Sequence, residues 1–177
     1  MKIMIAIINA SPLIYLGQIG ALSSLPKLFS ECYTTSFVKN EVLSQKNVPE
    51  HPILEESFSD WLNLKDPSDQ ELMKRLEDLQ IHLGEASIIA LGKELRDKRE
   101  EDIFIIDDFI AREIARTLEL KITGTVGIIL KMLHSSFITK EKCKNYIRNL
   151  VENTSFRIST SLYSKLLKEI EDFQPNE

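Results

Sequence analysis

No stretch of this 177-residue chain is apolar for long enough to cross a bilayer. The first apolar run, residues 3–8, is also too short for the core of a secretion signal, and the Asn9-Ala10-Ser11-Pro12 that follows reads as a strand-to-helix turn. A cytoplasmic protein is therefore expected, with no part in the membrane. Two cysteines, Cys32 and Cys143, are too few and too far apart for a disulfide framework or a thiolate metal site, so both are read as inert thiols in a reducing compartment. The three histidines, His51, His82 and His134, lack ligand spacing and are expected to be exposed or lightly packed. Only 6 glycines and 6 prolines leave little room for flexible linkers. Positive charge is not in excess either. Lys and Arg total 22 against 27 Asp and Glu, a formal net charge of -5, which argues against broad electrostatic binding of nucleic acid. It leaves open a local basic patch, or substrate phosphates held through a metal. There is no phosphate-cradling P-loop and no serine flanked by glycines at a nucleophile elbow. An aspartyl-phosphate enzyme would carry Asp at the first strand tip, where Asn9 stands.

What is present is an ordinary globular composition, 43% hydrophobic and 28% charged. One domain over residues 1–177 is expected, with C-terminal helices (about 139–173) as an extension. Two continuous apolar runs, residues 3–8 and 103–106, read as strands buried on both faces. Shorter strands are expected at 32–35, 61–64 and 121–123. After the first strand, Ser11 is a good N-cap and Pro12 a good first helical residue. Ser36 is taken as the cap of the next helix, which carries Phe37, Val38, Glu41 and Val42. Residues 47–52, with two prolines, read as a loop. Further helices are expected from Pro67-Ser68-Asp69, from Gly84-Glu85-Ala86-Ser87, over about 109–118 and from Gly124-Thr125, with two more after 139. The charge run 96–102 reads as a solvated helix end and loop. Alternating buried strands and helices indicate an α/β fold built on a parallel sheet.

In such a sheet, ligands bind just beyond the carboxyl ends of the strands. Both clear strands end in polar residues, Asn9 and Asp107-Asp108. Paired carboxylates there suit Mg²⁺ or Mn²⁺, hard ions that prefer oxygen ligands. A helix N-cap is the plainer role for one of the two, but not for both. Glu85 at a helix start is a second candidate ligand, or simply a favourable first-turn charge. Glu41 sits within an apolar stretch and is either a ligand or a surface residue. Arg112 is four residues after Asp108 and is expected to pair with it. Asn9 offers a carbonyl oxygen but no charge, and Ser11 a hydroxyl two residues on. Lys140, Lys142, Lys144 and Arg148 form the best local candidate for a nucleic-acid backbone contact, though a solvated face would look the same.

Taken in order, these segments resemble a known family. Ile7-Ile8-Asn9-Ala10-Ser11-Pro12-Leu13-Ile14 resembles the opening of PIN-domain proteins. Val38-Lys39-Asn40-Glu41-Val42 looks like their second acidic motif and Leu83-Gly84-Glu85-Ala86-Ser87-Ile88-Ile89-Ala90-Leu91 like the third. The stretch from Ile105 to Ala115, containing Asp107-Asp108 and Ala111-Arg112, looks like the fourth, and Ile122-Thr123-Gly124-Thr125-Val126-Gly127 follows it as in a VapC-toxin-related subgroup of PIN proteins. The likeness spans about residues 3–138 and extends toward 163. It implies a three-layer PIN-like fold, with a central parallel β-sheet flanked by helices. It also implies a Mg²⁺- or Mn²⁺-dependent ribonuclease, a small antitoxin partner and a homodimer. By position, Glu41, Glu85 and Asp108 match the family's acidic residues, with Asp107 adjacent; Ser11 and Arg112 would orient the site. Asn9 stands where most of the family has Asp. Two readings result: an active RNA endonuclease, the toxin of a toxin–antitoxin pair, or a catalytically weakened module that binds RNA or a protein partner. An α/β enzyme acting on a small phosphorylated molecule is a weaker third.

Overall fold

In the computed structural model, which describes residues 4–96 and 102–174, the first apolar run forms strand β1 (Ile5–Ile8), all of it buried. Four more strands are described: β2 (Glu31–Thr34), β3 (Leu62–Leu64), β4 (Ile103–Ile105) and β5 (Ile122–Thr123). They pair in parallel in the order β3-β2-β1-β4-β5. Central β1 and neighbouring β4 are the two clearly apolar runs of the sequence, because they are covered on both faces. The edge strands β3 and β5 expose residues and are correspondingly short.

The helices among the described residues are α1 (Ala10–Gln18), α2 (Leu25–Leu28), α3 (Ser36–Val42), α4 (His51–Asp60), α5 (Gln70–Asp78), α6 (Leu83–Arg96), α7 (Phe109–Thr117), α8 (Thr125–His134), α9 (Lys140–Asn153) and α10 (Thr160–Asp172). Parallel neighbours require crossover connections, and right-handed crossovers in opposite directions from β1 place helices on opposite faces. Accordingly α1 packs with α3, α4 and α8, while α6 packs with α5 and α7 and also meets α3. The result is the expected three-layer α/β arrangement. The core runs through it from Leu13 and Leu16 across Ile7, Ile8 and Ile105 to Ile88, Ile89 and Leu91, all fully buried. Helix α6 lies so close to its neighbours that a Cβ at Gly92 would stand 2.7 Å from Leu120 and 2.8 Å from the Phe104 ring.

Three local expectations are corrected. Helix α1 starts at Ala10, with Asn9 rather than Ser11 as its N-cap residue. The extended backbone of Asn9 already turns the chain out of β1, so Ser11 and Pro12 fall in the first turn, where a missing N–H costs nothing. Helix α3 is capped by Thr35, whose hydroxyl accepts from Val38 N. Ser36 instead gives its N–H and hydroxyl to Asp66, both at 2.7 Å. Finally, the two-proline loop ends early: Pro52 lies in the first turn of α4, which buries Leu54 and Ser57.

Both cysteines are buried and free, and burial pushes their thiols up, Cys32 to about 12 and Cys143 to about 11. His82 and His134 are exposed and His51 half-buried. The basic face of α9 is largely spent on its neighbours. Lys140 Nζ donates to the Glu171 carbonyl at 2.6 Å, Lys144 pairs with the Glu171 carboxylate, and Lys142 lies over the Tyr146 ring. Of the charge run 96–102, residues 97–101 lie outside the described residues. Among the described residues no helix is long and apolar enough to cross a membrane.

Candidate active site

Strand order reverses between β1 and β4, and their carboxyl ends open side by side. A sheet of this kind leaves a crevice at that point. The Asn9 N–H donates to Ile105 O at 3.0 Å, which holds the first tip against the second. Asn9 is only 2% exposed, and its Oδ1 is buried without a hydrogen-bond partner. Its side chain does not cap α1. An unpaired buried acceptor costs about 1–3 kcal/mol, and natural proteins seldom carry one without a use for it.

The second wall comes from α3 and α6. Val38 and Val42 are buried and anchor α3, leaving Glu41 on its exposed side. A Cβ placed on Gly84 would stand 2.7 Å from Glu41 Oε2 and 4.0 Å from Asn9 Oδ1. Gly84 therefore lets Glu41 and Asn9 approach the start of α6. A buried hydroxyl relay sets this spacing: Val38 N donates to Thr35 Oγ1, which lies 2.7 Å from Ser87 Oγ, which donates to Gly84 O at 2.6 Å. Since Ser87 gives its proton to Gly84, Thr35 gives its own to Ser87.

Glu85 follows in the first turn of α6. Its carboxyl is held above the ordinary range, first by partial burial and then by the negative charges of Asp108 and Glu41, with His82 opposing both by its charge and by a backbone hydrogen bond. Glu41 is also raised, by desolvation against the same His82. Asp108 caps α7, accepting from Ala111 N at 2.8 Å. The structure thus brings Asn9, Glu41, Glu85 and Asp108 into one neighbourhood. Ser11 sits half-buried in the first turn of α1 next to it.

Asp107 turns away from this group. Its Oδ1 accepts from Thr125 N at 2.8 Å and its Oδ2 from Thr125 Oγ1 at 2.6 Å, so it ties the start of α8 to the tip of β4. Burial raises its carboxyl, against the lowering effects of the two Thr125 hydrogen bonds and of Arg112. Arg112 was expected to pair with Asp108; it donates instead to Ile106 O at 2.8 Å and faces Asp107. Gly124 makes room for both, since a Cβ there would stand 2.7 Å from Asp107 Oδ1 and 2.9 Å from Arg112 Nη1.

Among the described residues no three His, Cys, Asp or Glu side chains stand close enough together to hold a metal ion. The donors in this neighbourhood are all oxygens: the carboxyl of Glu85, raised by burial and then by the charges of Asp108 and Glu41, those two carboxylates themselves, and one buried amide oxygen with nothing to accept from. That set fits a hard divalent cation in chemistry and in charge.

The residue types alone pointed to Asn9, Glu41, Glu85 and Asp108, but not to Thr35, Ser87 or His82. Ser87 carried a usable signal, a polar residue one turn after Gly84 on the otherwise apolar face of α6. His82 stands three residues before Glu85, just ahead of α6, so that proximity is local, whereas its proximity to Glu41 arises only on folding.

A family model for DUF3368, described as a PIN domain, matches residues 5–172. No curated protein matches the chain.

Proposed function

The chain belongs to the PIN-domain family, a nuclease-type module, and from that premise we propose that it is a divalent-metal-dependent RNA endonuclease. One observation carries the reading: the buried, unpartnered Oδ1 of Asn9 lies at the switch point of the sheet, with Glu41, Glu85 and Asp108 gathered beside it. Asn9, Glu85 and Asp108 would hold Mg²⁺ or Mn²⁺. When bound, such an ion neutralises charge on a phosphate and lowers the pKa of a bound water. The chain's own contribution is electrostatic and positional. Carboxylates that repel one another in the free protein favour whatever cation relieves them. Glu41, at the rim, serves as a further ligand or orders a water. The Thr35–Ser87–Gly84 relay holds Glu41 and Glu85 in register.

Of the adjacent aspartates, we assign the ligand role to Asp108, because both oxygens of Asp107 are engaged by Thr125. Arg112 orients the tip through the Ile106 carbonyl, and Ser11 would offer a hydroxyl to the substrate. We read residues 1–177 as one domain with α9 and α10 as its extension; a match that runs to residue 172 supports this. The toxin role, with a small antitoxin and a homodimer, extends the same proposal. Phe109 and Ile110, 73% and 58% exposed immediately after Asp108, offer a protein partner an apolar foothold beside the acidic cluster.

The test is cleavage of single-stranded RNA with Mg²⁺ or Mn²⁺ by the native protein, Asp108→Asn and Glu85→Gln. Loss of cleavage in both variants is expected; robust cleavage by both would sink the assignment. Asn9 itself favours a second reading, a weakened module that binds RNA or protein, because a neutral ligand attracts a cation less than Asp does. A large gain of metal affinity and cleavage in Asn9→Asp would support that reading, and efficient cleavage by the native protein would reject it.

A further inference from the structure

Glu41 has a second neighbour on the side facing α1 and the start of α4: a cavity of about 320 Å³ that it also lines. That volume is at the low end for small-molecule sites and suits one nucleotide unit rather than a duplex. Ile14, Val42 and Val48 supply apolar sides, and Gln18, Gln45 and Glu50 supply a polar edge. An unstacked base has the same two needs, apolar cover for its faces and hydrogen-bond partners along its edge. A phosphate would be repelled here, since Glu41 and Glu50 are the charged groups lining the cavity.

The edge has a readable polarity. Glu50 is 6% exposed, and its Oε1 accepts from Gln18 Nε2 at 2.9 Å. A carboxylate only accepts, so the Gln18 amide must turn its NH₂ toward Glu50 and leave its Oε1, an acceptor, on the other side. Glu41 adds a carboxylate, so acceptors outnumber donors along the edge even with the Gln45 amide, which can offer either. Adenine, cytosine and guanine each carry an exocyclic amino donor; uracil does not.

We propose that this cavity is the base subsite for a nucleotide next to the cleaved bond, and that it selects a base with an exocyclic amino group over uracil. Its place in the reaction rests on the nuclease reading above, because the shared Glu41 is what joins it to the acidic cluster.

The first arm of the test uses metal-free native protein in EDTA, titrated with AMP, CMP, GMP and UMP, with the glutamine side-chain amides followed by NMR. The Gln18 and Gln45 amide signals should shift with at least one amino-bearing nucleotide and not with UMP. Gln45→Ala, at an exposed position, should weaken that binding about tenfold. No shift at either amide, or an equal response to all four nucleotides, overturns the inference. The second arm cleaves a random-sequence single-stranded RNA with Mn²⁺ and sequences the ends. An amino-bearing base enriched at one fixed position beside the cut, and flattened in Gln45→Ala, supports the subsite. Cleavage with no base preference overturns the subsite and leaves the nuclease standing. The expected amide shifts without any cleavage keep the base pocket and overturn the nuclease reading instead.

Discussion

Asp107 and Asp108 are neighbours in the chain and opposites in the fold. Asp107 belongs to a saturated cluster: Thr125 satisfies both oxygens and Arg112 supplies a compensating charge. Asp108 belongs to an unsatisfied one, in which its charge raises Glu85 while Asn9 Oδ1 finds no donor. The first cluster is a latch between β4 and α8. The second holds stored electrostatic repulsion that a cation would relieve. Buried polar groups with complete partners hold architecture; one left incomplete in a crevice beside carboxylates is a candidate for function.

The largest effect should separate the two clusters by activity. Asp108→Asn keeps the helix cap, since Asn caps about as well as Asp, yet removes the charge. RNA cleavage should fall at least about 100-fold, while the melting temperature stays near that of the native protein. Asp107→Ala should do the reverse and cost stability first, about 2–4 kcal/mol by urea denaturation, because Thr125 loses both acceptors and Arg112 its counter-charge. If Asp108→Asn unfolded the protein and Asp107→Ala did not, the comparison would be inverted.

Asn9→Asp sharpens the contrast further. Without metal it adds a fourth charge to the unsatisfied cluster and should destabilise by about 1–3 kcal/mol. Added Mn²⁺ should then restore stability at lower concentrations than the native protein requires, by the linkage between binding and folding. Ser87→Ala is smaller. It removes the middle of the relay and should cost about 1 kcal/mol, with reduced cleavage but unchanged base preference.

The smallest effect is in pH. Glu85 and Glu41 are raised in the folded protein above their ordinary value of 4.5. The folded state therefore holds protons that the unfolded chain has released. Stability of the metal-free protein should rise gently as pH falls from neutral through the raised carboxyl range, and level off only below 3.8, because Asp107 is raised as well. Glu85→Gln should flatten that rise. A native profile that instead fell over this window would show that the carboxylates are stabilised by partners rather than penalised by burial.

Much of this was legible beforehand. The buried strands at the centre of the sheet announced themselves by apolar runs, and the four residues of the unsatisfied cluster by their types at strand tips (Asn9, Asp108), at a helix start (Glu85) and within an apolar stretch (Glu41). Less legible were elements whose signals compete locally. Ser11-Pro12 and Ser36 look like helix starts, but each helix began one or two residues earlier, once the strand before it set the exit path. Helix α4 was masked by Pro52, which is harmless in a first turn and disruptive elsewhere.

What the sequence determined by itself was the α/β class, the two strand tips and the oxygen-rich chemistry gathered there. These follow from local periodicity and residue type, which a chain carries before it folds. The division of labour between Asp107 and Asp108 was decided only by the tertiary structure. Adjacent residues of an extended segment send their side chains to opposite sides. One side met Thr125 and Arg112, and the other met Glu85 across the mouth of the sheet. Which carboxylate would be latched and which left repelling its neighbours depended on what the distant helices α6 and α8 brought to each side.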